Sequence, residues 1–260
     1  MSSGLEGRVA AITGGTAGIG LGIAAALLAE GASVALMARS RDRGAAAVAS
    51  LGAGDRAMFV AGDATNQAEV EGFVDAAVAR FGRLDILVNN AGGATDLQPI
   101  VNLSDEEWDR VMKWNLYSTF WATRRALKVM LPSRWGRVIN ISSVEGKHGK
   151  AVFTPYTAAK HAINGFTKSV AREVGTEGVT VNAICPGLVI TDIIRSNGPA
   201  TAETMGMTFD EMVAMFSRDS ALQRPVTVEE VAALAVLLAS DAGSGITGAI
   251  MSVDGGTAQY

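Results

Sequence analysis

The sequence predicts an α/β fold: a doubly wound parallel sheet of about seven strands, flanked by helices, in a single domain. Three observations carry that prediction. Short apolar runs alternate with longer amphipathic stretches from end to end. Most of the short runs are continuously apolar rather than alternating, as expected of strands buried on both faces of a parallel sheet. Neither a low-complexity linker nor an internal repeat divides the 260 residues. Repeated strand–helix units with short joints give the Rossmann type of architecture.

The elements follow in order. RVAAIT (8–13) is the first strand, and it leads through TGGTAGIG (13–20) into the helical run GLGIAAALLAEG, which stops at Gly31. SVALMA (33–38) and MFVAG (58–62) are the next strands, followed by the helix NQAEVEGFVDAAVARFG ending at Gly82. LDILVNN (84–90) is the fourth strand. A long helix is expected from Ser104, an N-cap followed by acids in the first turn, as far as Pro132. RVINIS (137–142) and VTVNAI (179–184) are strands that bracket the helical stretch containing FTPYTAAKHA (153–162). Residues 192–225 break the rhythm and read as an insertion of the kind that forms lids or binding loops. The apolar run VAALAVLLA (231–239) reads as a capped, buried helix, and AIMSV (249–253) is the last strand.

Composition narrows the function classes. Hydrophobic residues make up 48% and charged residues 18%, ample for a core. The net charge of -4 argues against a nucleic-acid surface, which needs a basic stripe. The longest late apolar run is far shorter than the roughly 20 residues of a membrane span, and the N-terminus shows no targeting segment. The single cysteine, Cys185, excludes an intramolecular disulfide and fits a reducing compartment. The expectation is a soluble, cytoplasmic protein. His148 and His161 lack the spacing of metal ligands, so no metal site is expected.

The segment 13–20 carries the first chemical signal. Gly14, Gly18 and Gly20 stand between a strand and a helix, where glycine lets backbone approach a pyrophosphate and the helix N-terminus faces the anion. At the end of the second strand an acid would bind the ribose of NAD. Here Arg39 stands instead, with Arg41 and Arg43 beyond it. A solvated helix start competes for these arginines, but cations are disfavoured in a first helical turn. NADP(H) is therefore expected ahead of NAD(H).

TGGTAGIG, NNAG (89–92), ISS (141–143), YTAAK (156–160), PGLVITD (186–192) and VDGG (253–256) occur in this order. Together they resemble the short-chain dehydrogenase/reductase family over nearly the whole chain, and its single-domain ketoreductases in particular. The resemblance implies roles for the matching positions. Tyr156 would be the general acid/base, Lys160 its electrostatic partner and a ribose ligand, Ser143 a carbonyl-orienting hydroxyl, and Asn115 the holder of a relay water. Thr16 and Ile19, with Gly14, Gly18 and Gly20, would line the pyrophosphate. Arg39 and Ser40 would meet the adenosine ribose, and Asp63 and Ala64 would flank adenine. Asn90 and Gly92 would support the middle of the cofactor. Pro186, Gly187, Val189 and Thr191 would hold its nicotinamide end. The family also implies a homotetramer built on the Tyr156 helix and the long helix with Trp108, Trp114 and Trp121.

The residue types suit that chemistry. Hydride transfer to a ketone leaves charge on oxygen, which needs a proton donor and hydrogen-bond support. Free tyrosine has a pKa of about 10, and an ammonium one helical turn away would lower it. The substrate pocket is expected between the loops after strands four, five and six, with Ala94, Glu145, Phe153, Leu188, Met205 and Met212 as candidate contacts. Met212 with Met215 and Phe216 also fits a packed helix face, and methionines make adaptable apolar walls. Glu145, two residues past Ser143, is expected either to pair with Lys147 or Lys150 on the rim or, facing the cleft, to repel anionic substrates. The leading expectation is an NADP(H)-dependent reductase of an apolar ketone. Alternatives are an NAD-dependent secondary-alcohol or hydroxyacyl dehydrogenase and a non-catalytic NADP-binding regulatory protein.

Overall fold

The computed structural model describes residues 4–94, 97–204 and 206–258, without the side chains of Asn197 and Thr204. Seven strands form one parallel sheet: β1 (Val9–Thr13), β2 (Ser33–Ala38), β3 (Ala57–Ala61), β4 (Ile86–Asn89), β5 (Gly136–Ile141), β6 (Val179–Pro186) and β7 (Ile250–Val253). Their order is β3-β2-β1-β4-β5-β6-β7. The order reverses between β1 and β4, whose last residues Thr13 and Asn89 are in register. A crevice opens at such a switch point, beyond the carboxyl ends of the strands.

The helices are α1 (Gly18–Ala29), α2 (Arg41–Leu51), α3 (Gln67–Phe81), α4 (Asp105–Met112), α5 (Ser118–Ser133), α6 (Thr154–Val174), α7 (Asp192–Thr204), α8 (Phe209–Arg218) and α9 (Val228–Ala239). Alternate strand residues serve the two faces. Ala10, Ile12 and Val34 join Ile23, Leu27 and Leu238 of α1 and α9 in one core. Val9, Ala11 and Ala35 join Phe73, Met130 and Val170 of α3, α5 and α6 in the other. Phe73 is fully buried, a contribution of about 1.5–3 kcal/mol. Because both faces are covered, the strands read as continuous apolar runs.

Local signals set the helix ends. Ser104 and Asn66 accept from the Glu107 and Glu69 amides, and Thr208 and Thr227 form capping boxes with Glu211 and Glu230. Gly82 closes α3 with a φ of 77°. No described helix is long and apolar enough to cross a membrane.

Two expectations are corrected. The stretch expected as one helix to Pro132 is two helices, with a π-helical turn over Lys113–Tyr117 between α4 and α5. Asn115 Nδ2 donates to the Val111 carbonyl at 2.9 Å, competing for the acceptor an uninterrupted α-helix would use there. Pro132 does not stop the helix; it sits in the last turn, and Arg134 ends it with a φ of 51°. Within 192–225, α7 and α8 pack on each other. The segment's two ends meet where the Val226 N–H donates to the Leu188 carbonyl at 2.9 Å.

Candidate active site

Most of the residues singled out in the sequence lie beyond the carboxyl ends of β1, β4, β5 and β6. After β1, Gly14 takes a φ of 64°. A Cβ on Gly20 would stand 2.5 Å from the Gly14 carbonyl oxygen, so the start of α1 packs directly on the turn. Asn90 fastens this loop from β4: its Nδ2 donates to the Thr13 and Gly14 carbonyls at 3.1 and 2.9 Å. The Asn90 and Ala91 N–H groups donate in turn to Thr13 Oγ1. No side chain caps α1 and no acid occupies its first turn. The helix therefore offers uncommitted N–H groups beside a backbone stripped of side chains, a cradle that fits a phosphate. Thr16, Gly18 and Ile19 lie half-buried on its rim. The Thr191 side chain comes to 3.0 Å from where a Gly18 Cβ would be, so the start of α7 flanks the same loop.

At the end of β2, Arg39 is exposed and makes no hydrogen bond or ion pair to the described residues. Ser40 caps α2, accepting from the Arg43 N–H at 3.3 Å. Arg41 and Arg43 do lie in the first turn of α2, contrary to expectation; Asp42 between them supplies the charge that this end favours. After β3, Asp63 Oδ1 accepts from the Thr65 amide and hydroxyl at 2.8 and 2.9 Å, holding its own turn, and Ala64 is buried behind it. Beyond β6, a Cβ on Gly187 would come to 2.9 Å from the Asp254 Cα, so Pro186 and Gly187 run against the VDGG turn. Val189 bridges to Val226 at the base of the insertion.

Asn115 is fully buried. Its Oδ1 accepts from the Gly93 N–H and its Nδ2 donates to the Gly93 carbonyl, both at 3.0 Å. It thus clamps the segment after β4 to the π turn. A Cβ on Gly92 would meet Asn115 Oδ1 at 2.4 Å and Lys160 Nζ at 3.5 Å, which shows how closely these three gather.

Lys160 projects inward from α6 and is 3% exposed. Its Nζ donates to the Ile141 carbonyl at 2.8 Å and lies 5.3 Å from the centre of the Tyr156 ring. Burial pushes its pKa down to about 8, against the upward pull of Cys185 and Glu145. Tyr156 keeps part of its surface open. Burial nevertheless raises its pKa, a Ser143 hydrogen bond pulls it down, and the Glu145 charge pushes it up again. The expected lowering of the phenol by Lys160 is not found. Desolvation of the phenolate dominates, and the ammonium is turned to Ile141.

Ser143 follows β5. Its Oγ accepts from the Glu145 N–H at 3.2 Å and donates to the Glu145 carboxylate. Glu145 forms no ion pair with Lys147 or Lys150, so its expected rim pairing is corrected. Lys150 instead stands over the Phe216 ring at 3.7 Å and the Phe153 ring at 5.4 Å. Phe153 meets Tyr156 edge-on, with centroids 6.3 Å apart. Ala94 and Leu188, after β4 and β6, are half-buried. Met212 is 4% exposed and packs inward, the helix-face alternative, because α8 turns that side to the protein. Met205 lies outside the described residues. Among the described residues no group of three or more metal-ligating side chains occurs.

Sequence reasoning missed three features here: the Thr13–Asn90 staple, the Phe216–Lys150–Phe153 stack and the Ser143–Glu145 bond. The first two join segments 77 and 66 residues apart, and no local pattern announces such partners. The third was within reach, since Glu145 stands two residues from Ser143.

A family model described as short chain dehydrogenase matches residues 8–202. A D-beta-hydroxybutyrate dehydrogenase of Cupriavidus necator is 40% identical over 261 residues, covering 97% of this chain and 98% of that protein. A 3-oxoacyl-(acyl-carrier-protein) reductase of Salmonella typhimurium is 36% identical over 252 residues, covering 96% and 97%. A crystal structure of an actinorhodin polyketide ketoreductase variant with NADPH superposes with a TM-score of 0.92 at 35% identity, covering 97% of this chain and 98% of that one.

Proposed function

We infer the details below from one premise: the chain belongs to the short-chain dehydrogenase/reductase family, and it is an oxidoreductase interconverting a ketone and a secondary alcohol. The observation that carries the reading is the meeting of Ser143, Tyr156 and the buried Lys160 beside an uncapped helix N-terminus. NADP(H) is the proposed cofactor, held at Gly14–Gly20 and along Asn90, Gly92 and Pro186–Thr191, with unpaired Arg39 for the 2′-phosphate. NAD(H) is the weaker candidate because the end of β2 holds Ala38 and then Arg39, with no acid at either position. When bound, the nicotinamide would supply the hydride.

The roles of the protein groups follow from their surroundings. Tyr156 donates the proton to the nascent alkoxide, and a phenol kept protonated by burial is suited to that task. Ser143 holds the carbonyl oxygen. Lys160, the buried ammonium 5.3 Å from the Tyr156 ring centre, is the electrostatic partner of the phenolate left when that proton is given up. Asn115 keeps the segment at Gly92 pressed against Lys160. Ala94, Phe153 and Leu188 form a largely apolar mouth for an apolar ketone. The likeness to a D-beta-hydroxybutyrate dehydrogenase favours a second reading, oxidation of a hydroxy acid, but Glu145 opposes an anionic substrate. A homotetramer is proposed on the faces of α5 and α6, where exposed Tyr117 stacks on Trp121. A cytoplasmic setting suits the single, buried Cys185.

The test is absorbance of reduced nicotinamide, with NADPH and NADH in turn, against ketones and alcohols. Tyr156→Phe is expected to lower kcat by about 10²–10⁴-fold while NADPH binding, read by fluorescence, persists. Turnover surviving in that variant refutes the assigned acid/base.

A further inference from the structure

Among the described residues, Glu145 is the one acid hydrogen-bonded to the proposed catalytic set. It sits in the short turn Val144–Gly146 directly after β5, and its own N–H donates back to Ser143 Oγ. The Ser143 hydroxyl donates to its carboxylate. No lysine or arginine among the described residues pairs with that carboxylate; Lys150 is taken up by Phe216 and Phe153. Its charge is felt by Tyr156 and Lys160 on α6, on which Cys185 of β6 also acts, and Lys147 of the same loop acts on Cys185.

Hydrogen counting gives the consequence. A serine hydroxyl carries a single hydrogen. Glu145 and the Tyr156 oxygen both draw on that hydrogen, and while Ser143 gives it to Glu145 it has none for a substrate carbonyl. For Ser143 to turn to the substrate, the half-buried carboxylate must find another donor, because an anion left without one is costly. A hydroxyl on the carbon next to the carbonyl reaches the same region as the oxygen on Ser143 and supplies that donor. A carboxylate in the same place brings two anions together away from bulk water, where their repulsion is strong.

We propose that Glu145 is a specificity-determining residue that selects an uncharged ketone bearing a hydroxyl beside the carbonyl and turns away ketones bearing a carboxylate. The inference rests on the reductase reading and names the substrate class for the same site. Phe153 and Leu188 meet the apolar remainder of such a substrate, and Glu145 exchanges Ser143 for the substrate hydroxyl as its donor.

Two ratios of kcat/KM with NADPH test it: 2-hydroxycyclohexanone against cyclohexanone, and methyl acetoacetate against acetoacetate. Each ratio is taken within one preparation, so any inactive fraction cancels. The natural sequence is expected to favour the hydroxyketone and the ester, each by about tenfold or more, the worth of one hydrogen bond to a charged group. Glu145→Ala is expected to bring both ratios toward unity. Glu145→Gln is expected to remove the ester preference and to keep a preference for the hydroxyketone, since the amide oxygen still accepts. Ratios unmoved by Glu145→Ala, with cyclohexanone reduced, overturn the inference and leave the reductase reading standing. Failure to reduce any of the four ketones overturns both.

Discussion

Lys160 is a buried ammonium facing one carbonyl, and its depressed pKa makes folding stability depend on pH in a stated direction. Between about 8 and the ordinary lysine value of 10.5, the unfolded chain keeps the proton and the folded protein releases it. The unfolded state binds more protons in that window, so stability rises as pH rises. Below the window the folded state bears the full cost of a buried charge. Tyr156 acts oppositely, but only above its ordinary value of 10.0, where the unfolded chain loses a proton that the folded one retains. Melting the cofactor-free protein and Lys160→Met at pH 8, 9 and 10 isolates the lysine. The natural sequence is expected to gain stability over the variant across that range. A flat or falling difference refutes the buried-charge account. The tyrosine–lysine spacing was legible in the sequence; that the lysine faces Ile141 and leaves burial to govern the phenol was not. Spacing reports which side chains are neighbours, and desolvation depends on everything packed around them.

The turn between α4 and α5 shows what an element owes to one side chain. Asn115 spends its amide on Val111 and on both backbone groups of Gly93, so the π turn and the segment after β4 are one unit. Asn115→Ala is expected to cost about 2 kcal/mol by leaving those groups unmatched, measured by urea unfolding. It is also expected to lower kcat by about tenfold or more, because Gly92 loses its backing beside Lys160. A variant with unchanged stability and full kcat contradicts the clamp. The sequence read this region as a single helix because the apolar face persists through it. The cause of the turn is a side chain-to-backbone bond that periodicity does not register. The caps at Ser104, Asn66 and Thr227, by contrast, were readable because each partner lies three residues away.

At the scale of the whole molecule, the seven strands and their parallel arrangement were legible because strands buried on both faces leave uninterrupted apolar runs. The glycine loop was legible for a related reason: its constraint is local to one strand–helix joint. What the sequence withheld lies between elements, as with the stack of Lys150 on Phe216. The same crevice should tie global stability to the proposed cofactor. A ligand that binds only the folded state stabilises it by about 2.7 kcal/mol at a hundred times its Kd, which for a chain of this size is about 5 to 10 °C in Tm. Arg39 stands exposed and unpaired at the end of β2, at the edge of the switch-point crevice. NADPH is therefore expected to raise Tm more than NADH at equal concentration. Arg39→Asp should reverse that order, since an acid repels the 2′-phosphate and accepts from a 2′-hydroxyl. The fold itself should be untouched, because Arg39 is exposed and makes no hydrogen bond or ion pair to the described residues. Equal shifts with the two nucleotides in the natural sequence, or an order that survives Arg39→Asp, would show that cofactor choice is made elsewhere.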